Sequence, residues 1–137
     1  MPDYLLDTNI LLYSISTDRG EAAKRDIAVG LLERRDNALS VQVLQEFYVQ
    51  ATRATRQDAL PHDVAVGFIR AWLRFPIQDI TLPVMSAALE IKAAFGLSYW
   101  DAAIVSAAHA LGCGELFSED MAHGLEIERV RITNPFR

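Results

Sequence analysis

Short apolar runs alternate with stretches of helical periodicity along this chain, and that alternation limits its fold more than any other feature. Tyr4 to Leu6 is apolar and ends at Asp7. Asn9 to Ile15 continues apolar without period-two alternation, which predicts a buried strand running straight into a helix. Ala22 to Leu32 carries Ile27 and Leu31 at helical spacing, with Ala28 and Leu32 beside them, and closes in the polar Arg34-Arg35-Asp36-Asn37. Ala38 to Val41 reads as a second strand, followed by Leu44, Phe47, Tyr48 and Ala51 at i, i+3, i+4 and i+7, the spacing of an amphipathic helix. Pro61 opens another helical pattern, Val64, Phe68, Ile69 and Trp72, which stops before Pro76. A third strand is expected from Ile77 to Leu82, then a helix from Pro83 to Phe95 ended by Gly96. Ser98 to Leu111 is apolar nearly all round, as a buried helix is. Glu115 to Phe117 and Val130 to Thr133 read as two further strands. Strands separated by helices predict an α/β fold, a mostly parallel sheet with helices on both faces.

A chain of 137 residues makes one domain, spanning 1–137, whose core needs neither disulfide nor structural metal. No apolar run approaches the roughly 20 residues that cross a bilayer, and Met1-Pro2-Asp3 lacks the basic character of a secretory signal, so a cytoplasmic protein with no membrane contact is expected. The single cysteine, Cys113, makes no internal disulfide and has no close partner for a zinc site. With 13 basic against 18 acidic residues the net charge is -5, which rules out a general basic field. A nucleic-acid partner must then be held by a local patch. Lys24 and Lys92 are the only lysines, and the pairs Arg34 with Arg35, Arg53 with Arg56 and Arg70 with Arg74 each read, taken alone, as a solvated helix face.

Ligands of an open parallel sheet sit outside the carboxyl ends of its strands, at the switch point of strand order. Four acids fall where such a site draws its residues. Asp7 follows the first strand, Glu46 lies in the first turns of the helix after the second, Asp101 in the first turn of the buried helix, and Asp120 after the fourth strand. Each has a simpler role open to it. Asp7 suits an N-cap, Glu46 a place near a helix N-terminus, and Asp120 a turn. Ser98-Tyr99-Trp100-Asp101 resembles a capping box with Asp in the Glu position, although its apolar neighbours predict a largely buried Asp101 in need of a metal or a partner. Together the four supply the oxygen ligands that Mg²⁺ or Mn²⁺ takes when it positions a water against a phosphate. Other chemistries lack their residues. Gly112-Cys113-Gly114 is no phosphate loop, no serine sits in a nucleophile elbow, and His62, His109 and His123 are scattered, His109 being expected as a hydrogen-bonded core residue. Trp72, Trp100, Phe47, Tyr48 and Phe68 are expected in the core.

Leu5-Leu6-Asp7-Thr8-Asn9-Ile10-Leu11-Leu12-Tyr13 resembles the opening of PIN-domain ribonucleases, specifically the toxins of VapC-type toxin-antitoxin pairs. Gln45-Glu46-Phe47 resembles the second acidic motif of that family, Tyr99-Trp100-Asp101-Ala102-Ala103-Ile104 the third, and Ser118-Glu119-Asp120-Met121 the last, so the likeness covers essentially the whole chain. It implies a PIN-like three-layer α/β/α sandwich around a five-stranded sheet in the order 3-2-1-4-5, which sets Asp7 beside Asp120. It also implies an endoribonuclease dependent on Mg²⁺, with Mn²⁺ as substitute, in which Asp7, Glu46, Asp101 and Asp120 carry the metal and Asn9 and Ser118 support them. A homodimer and a small antitoxin that blocks the site are implied as partners, and Arg25, Arg53 and Arg56 are the arginines placed to hold flanking RNA phosphates. Ser118 stands where many members carry Thr, and His123 where many carry an aromatic. A PIN-type nuclease of RNA maturation or decay without an antitoxin, and an inactive binding module on the same fold, remain alternatives.

Overall fold

The computed structural model describes residues 2–137, and Met1 lies outside them. The first strand, β1, is Tyr4–Leu6. Its neighbours Leu5 and Leu6 point to opposite faces of the sheet, and both are fully buried, so both faces are covered by helices. The chain passes at once into α1, Thr8–Ser14, whose N-cap is Asp7. After a single 3-10 turn at Arg19–Glu21 comes α2, Ala22–Leu32. Strand β2, Asn37–Ser40, is buried throughout, and Ser40 caps α3, Val41–Ala51, by accepting the Val43 N–H at 3.2 Å. The helix α4, His62–Trp72, starts behind Pro61, which lacks the N–H that a first turn would leave unpaired. Then follow β3, Ile77–Gln78, α5, Leu82–Phe95, α6, Tyr99–Ala110, and strands β4, Glu115–Phe117, β5, Glu126–Ile127, and β6, Val130–Thr133.

The sheet runs in the order β3-β2-β1-β4-β6-β5. All pairings are parallel except β5 with β6. With β6 as the fifth strand expected from the sequence, the order 3-2-1-4-5 stands, and the sheet gains a sixth strand at its edge. That strand is half of a hairpin whose turn residues, Glu128 at φ 51° and Arg129 at φ 68°, both lie in the left-handed region. The pair is a type I′ geometry usually signalled by Asn-Gly, and Glu-Arg gives no such sign. The third strand is shorter than expected, two residues rather than the whole of Ile77 to Leu82. Thr81 stops it by turning to cap α5, accepting the Val84 N–H at 3.2 Å, and Pro83 follows in the first turn. Gly96, at φ 69°, ends α5 in a conformation that costs a side chain-bearing residue more.

The core lies on both faces of β1, β2 and β4. Ile10, Phe47, Val105 and Leu116 are among its fully buried side chains. Ala102 to Ala108 of α6 are all buried, as a helix apolar all round requires. Two expectations about aromatics and histidine fail here. Phe47 and Trp72 pack edge to face in the core at 4.7 Å, but Trp100 is 62% exposed, Phe68 36% exposed and Tyr48 only half-buried. His109 is exposed at the end of α6, where its Nδ1 meets the Glu128 carbonyl oxygen at 3.0 Å.

Candidate metal centre

Strands β1 and β4 are neighbours, with β2 and β3 on one side of them and β6 on the other, so strand order switches between them. Their carboxyl ends open the crevice in which a ligand of such a sheet is held. Asp7 is the first residue beyond β1, and its N–H donates to the Phe117 carbonyl at 3.0 Å, extending the ladder one step past the strands. That bond sets Asp7 against Ser118, the first residue beyond β4. Ser118 Oγ donates to Asp7 Oδ2 at 2.7 Å, and the Thr8 N–H donates to Asp7 Oδ1 at 2.7 Å. The cap and the crevice therefore share one carboxylate. Burial pushes its pKa up from 3.8 to about 6, the bonds from Ser118 and Thr8 pull it down, and the charges of Glu46 and Asp120 push it up again.

The first turn of α1 distributes the remaining contacts. Thr8 Oγ1 donates to Glu46 Oε1 at 3.1 Å, and Asn9 Nδ2 donates to Asp120 Oδ2 at 3.1 Å while its Oδ1 accepts the Glu119 N–H at 3.4 Å. The Asp120 N–H reaches Ser118 Oγ at 3.3 Å. On α3, Gln42 lies one turn before Glu46 and donates to Glu46 Oε1 at 3.4 Å and to the Trp100 carbonyl at 3.1 Å, which ties α3 to the start of α6. Burial raises the pKa of the half-buried Glu46, the bonds from Thr8 and Gln42 lower it, and the charge of Asp101 raises it. The structure thus links all four acids in one electrostatic chain, Asp120 to Asp7 to Glu46 to Asp101. Asp101 itself is half-buried, less covered than expected, and its backbone N–H, donating to Ser98 Oγ at 3.1 Å, makes only the serine half of a capping box.

The three arginines fall differently. Arg53 shares with Glu46 a cleft of about 350 Å³. Arg56 is bonded to Asp58 at 2.8 Å and lines a separate cleft beside Ser16 and Asp18, and Arg25 lies along α2 against Asp26 at 3.6 Å. His123 is exposed, and its Nδ1 accepts the Asn134 N–H at 3.0 Å, a polar contact where an aromatic would pack. Sequence reasoning missed Thr8 and Gln42 as residues that orient Glu46. A polar residue one helical turn before an expected site acid is the signal that could have found Gln42.

Among the described residues none of the four acids is in an ion pair. Nor, among those residues, do three or more His, Cys, Asp or Glu side chains gather closely enough to hold a metal ion by themselves. Hydroxyl and amide groups of Thr8, Asn9 and Ser118 stand between the carboxylates instead. The donor set is all oxygen and open, and it fits a hard cation such as Mg²⁺, which takes one or two carboxylates and keeps waters or substrate phosphate in its other positions.

Fold and site together define an open parallel-sheet protein with an acidic crevice at its switch point. Residues 4–123 match the PIN domain, and the chain belongs to that family. A toxin-antitoxin complex from Klebsiella pneumoniae is similar in structure, with a TM-score of 0.71 at 23% identity over 97% of this chain and 98% of that one. VapC20 of Mycobacterium tuberculosis, described as a sarcin-ricin loop cleaving toxin, aligns with a TM-score of 0.67 at 18% identity over 86% of this chain and 92% of its own. VapBC2 of Rickettsia felis, bound to a DNA fragment from its promoter, aligns with a TM-score of 0.66 at 18% identity over 96% and 97% of the two chains. At these identities the likeness is one of fold. No match is found among curated proteins.

Proposed function

We propose that this protein is a metal-dependent endoribonuclease and the toxin of a type II toxin-antitoxin pair. The observation that carries the reading is the buried Asp7 carboxylate, bonded on both oxygens yet pushed up to about 6 by burial, among acids that no basic side chain pairs with among the described residues. A phosphodiester substrate would add negative charge to that crevice, so the acids require a cation. When bound, Mg²⁺ or Mn²⁺ supplies charge neutralisation at the phosphate and a lowered water pKa. Asp7 and Asp101 are the foremost ligands, and Glu46 and Asp120 complete the set directly or through water. The chain's own contribution is orientation: Ser118 fixes Asp7, Thr8 and Gln42 fix Glu46, and Asn9 fixes Asp120. Arg53 is the arginine best placed for a flanking phosphate, since it shares the cleft of Glu46.

The partner is a small antitoxin that inserts a cationic side chain, an arginine by preference, among the same carboxylates. The toxin-antitoxin complexes among the structural neighbours support an antitoxin as the partner. A homodimer in the cytoplasm completes it. Among the described residues no helix is long and apolar enough to cross a membrane.

Purified protein should cut single-stranded or loop RNA with Mg²⁺ or Mn²⁺ and stop in EDTA, and Asp7→Asn should lower the rate roughly 100-fold or more. Undiminished cleavage in chelator would overturn the metal site. Expression alone should slow growth, with relief from a small protein encoded next to it. Cleavage without such relief would favour the nuclease that has no antitoxin.

A further inference from the structure

We propose that Trp100 is a stacking platform that holds one unpaired nucleobase of single-stranded RNA beside the acidic crevice. The proposal rests on the nuclease reading above and names how the same site grips its substrate. An indole is among the most costly side chains to leave in water, and Trp100 is 62% exposed in the first turn of α6, next to Asp101. It is nevertheless held in place. Its carbonyl accepts the Gln42 amide at 3.1 Å, and the Tyr99 ring packs edge-on against the indole at 5.0 Å and 78°. Trp100 lines the cleft of about 350 Å³ that also contains Glu46, Val49, Gln45 and Arg53. That volume is at the small end of the roughly 300–1,000 Å³ range of ligand clefts, room for a nucleotide and not for a duplex. Val49 gives the base a second apolar wall, the exposed Gln45 offers both a donor and an acceptor to a base edge, and Arg53 supplies positive charge for a phosphate.

The net charge of -5 makes the argument stronger. A basic groove can hold RNA through its phosphates alone, but an acidic protein whose cleft carries one arginine must draw affinity from the bases. Stacking on an aromatic face supplies it for any base with a free face. Paired bases have none, which selects single strands and loops.

The test uses the full chain carrying Asp7→Asn, so that RNA survives the measurement. Short single-stranded oligoribonucleotides are titrated in Mn²⁺ while indole fluorescence is read. Trp72 is buried in the core, 5% exposed, so a quench reports Trp100. Binding should quench the signal. Adding Trp100→Ala should weaken affinity about 5- to 150-fold, and Trp100→Phe should restore most of it. Absence of quenching with every oligonucleotide, or Trp100→Ala that binds as tightly, would overturn the proposal. So would unchanged RNA affinity alongside a lost dimer or lost antitoxin binding, which would make Trp100 a protein contact. The nuclease reading fails separately, if the wild-type protein cuts no single-stranded RNA in Mn²⁺.

Discussion

Asp7 gives one oxygen to the Thr8 N–H and the other to the Ser118 hydroxyl, and burial still outweighs both bonds. The native carboxyl titrates at about 6, against 3.8 without its surroundings, so the folded state holds this proton more tightly than the unfolded chain does. The stability it contributes is fully present below about 3.8 and is lost as pH rises through about 6. The loss is on the order of 3 kcal/mol. Urea denaturation in EDTA should therefore show wild type falling in stability between pH 4.5 and 7.5 relative to Asp7→Asn, with the variant the more stable at the upper end. Parallel pH profiles for the two proteins would contradict the assignment. Asp7, Glu46, Asp101 and Asp120 stand out as candidates in the sequence because each lies at a fixed offset from a strand end or helix start, where topology decides the neighbours. Trp100 does not. In a helix apolar all round, periodicity gives no phase, so the sequence does not say that the indole in its first turn is left uncovered.

At the start of α6 a cap and a candidate site residue stand three positions apart. Ser98 Oγ accepts the Asp101 N–H, so the cap belongs to Ser98 and does not use the Asp101 carboxylate. Ser98→Ala should cost about 1 kcal/mol and leave the rise of Tm with Mn²⁺ intact. Asp101→Asn should keep or raise the Tm in EDTA, because it removes one charge from a repelling set, and should lose most of the Mn²⁺ response. Thermal melts of both variants with and without metal distinguish the roles. At the opposite edge, Glu128 and Arg129 hold left-handed conformations that Asn and Gly adopt at less cost. Glu128→Asn with Arg129→Gly should stabilise the protein by about 1 kcal/mol in urea denaturation. The long helices and the strands β1, β2, β4 and β6 were legible because burial on two faces or along one stripe writes a pattern. The two-residue β5 is too short to carry one, and its turn lacks the residues that announce a hairpin. The third strand is shorter than the apolar run predicts because Ile80 and Leu82, apolar enough to extend it, are exposed.

Leu82, Met85 and Leu89, on one face of α5, are 75%, 38% and 52% exposed, an apolar stripe on the outside of the molecule. The homodimer proposed above would cover it. Leu89→Lys should then shift the protein from dimer to monomer in gel filtration with its far-UV circular dichroism unchanged, and co-elution with wild type would put the interface elsewhere. At this scale the parallel sheet was legible from the alternation of elements, whereas the stripe was not, since α5 reads as apolar without showing which side meets the core. The central position of β4 has a further consequence. Asp7 meets Ser118, and Asn9 meets Asp120, across 111 residues of chain in each case. On the ribosome, Asp7 emerges long before Ser118, which orients it, and β4 has no second neighbour until Val130–Thr133 follows. A chain released before β4 lacks Ser118 against Asp7 and Asp120 against Asn9, so the crevice is assembled only when nearly the whole sequence has been made.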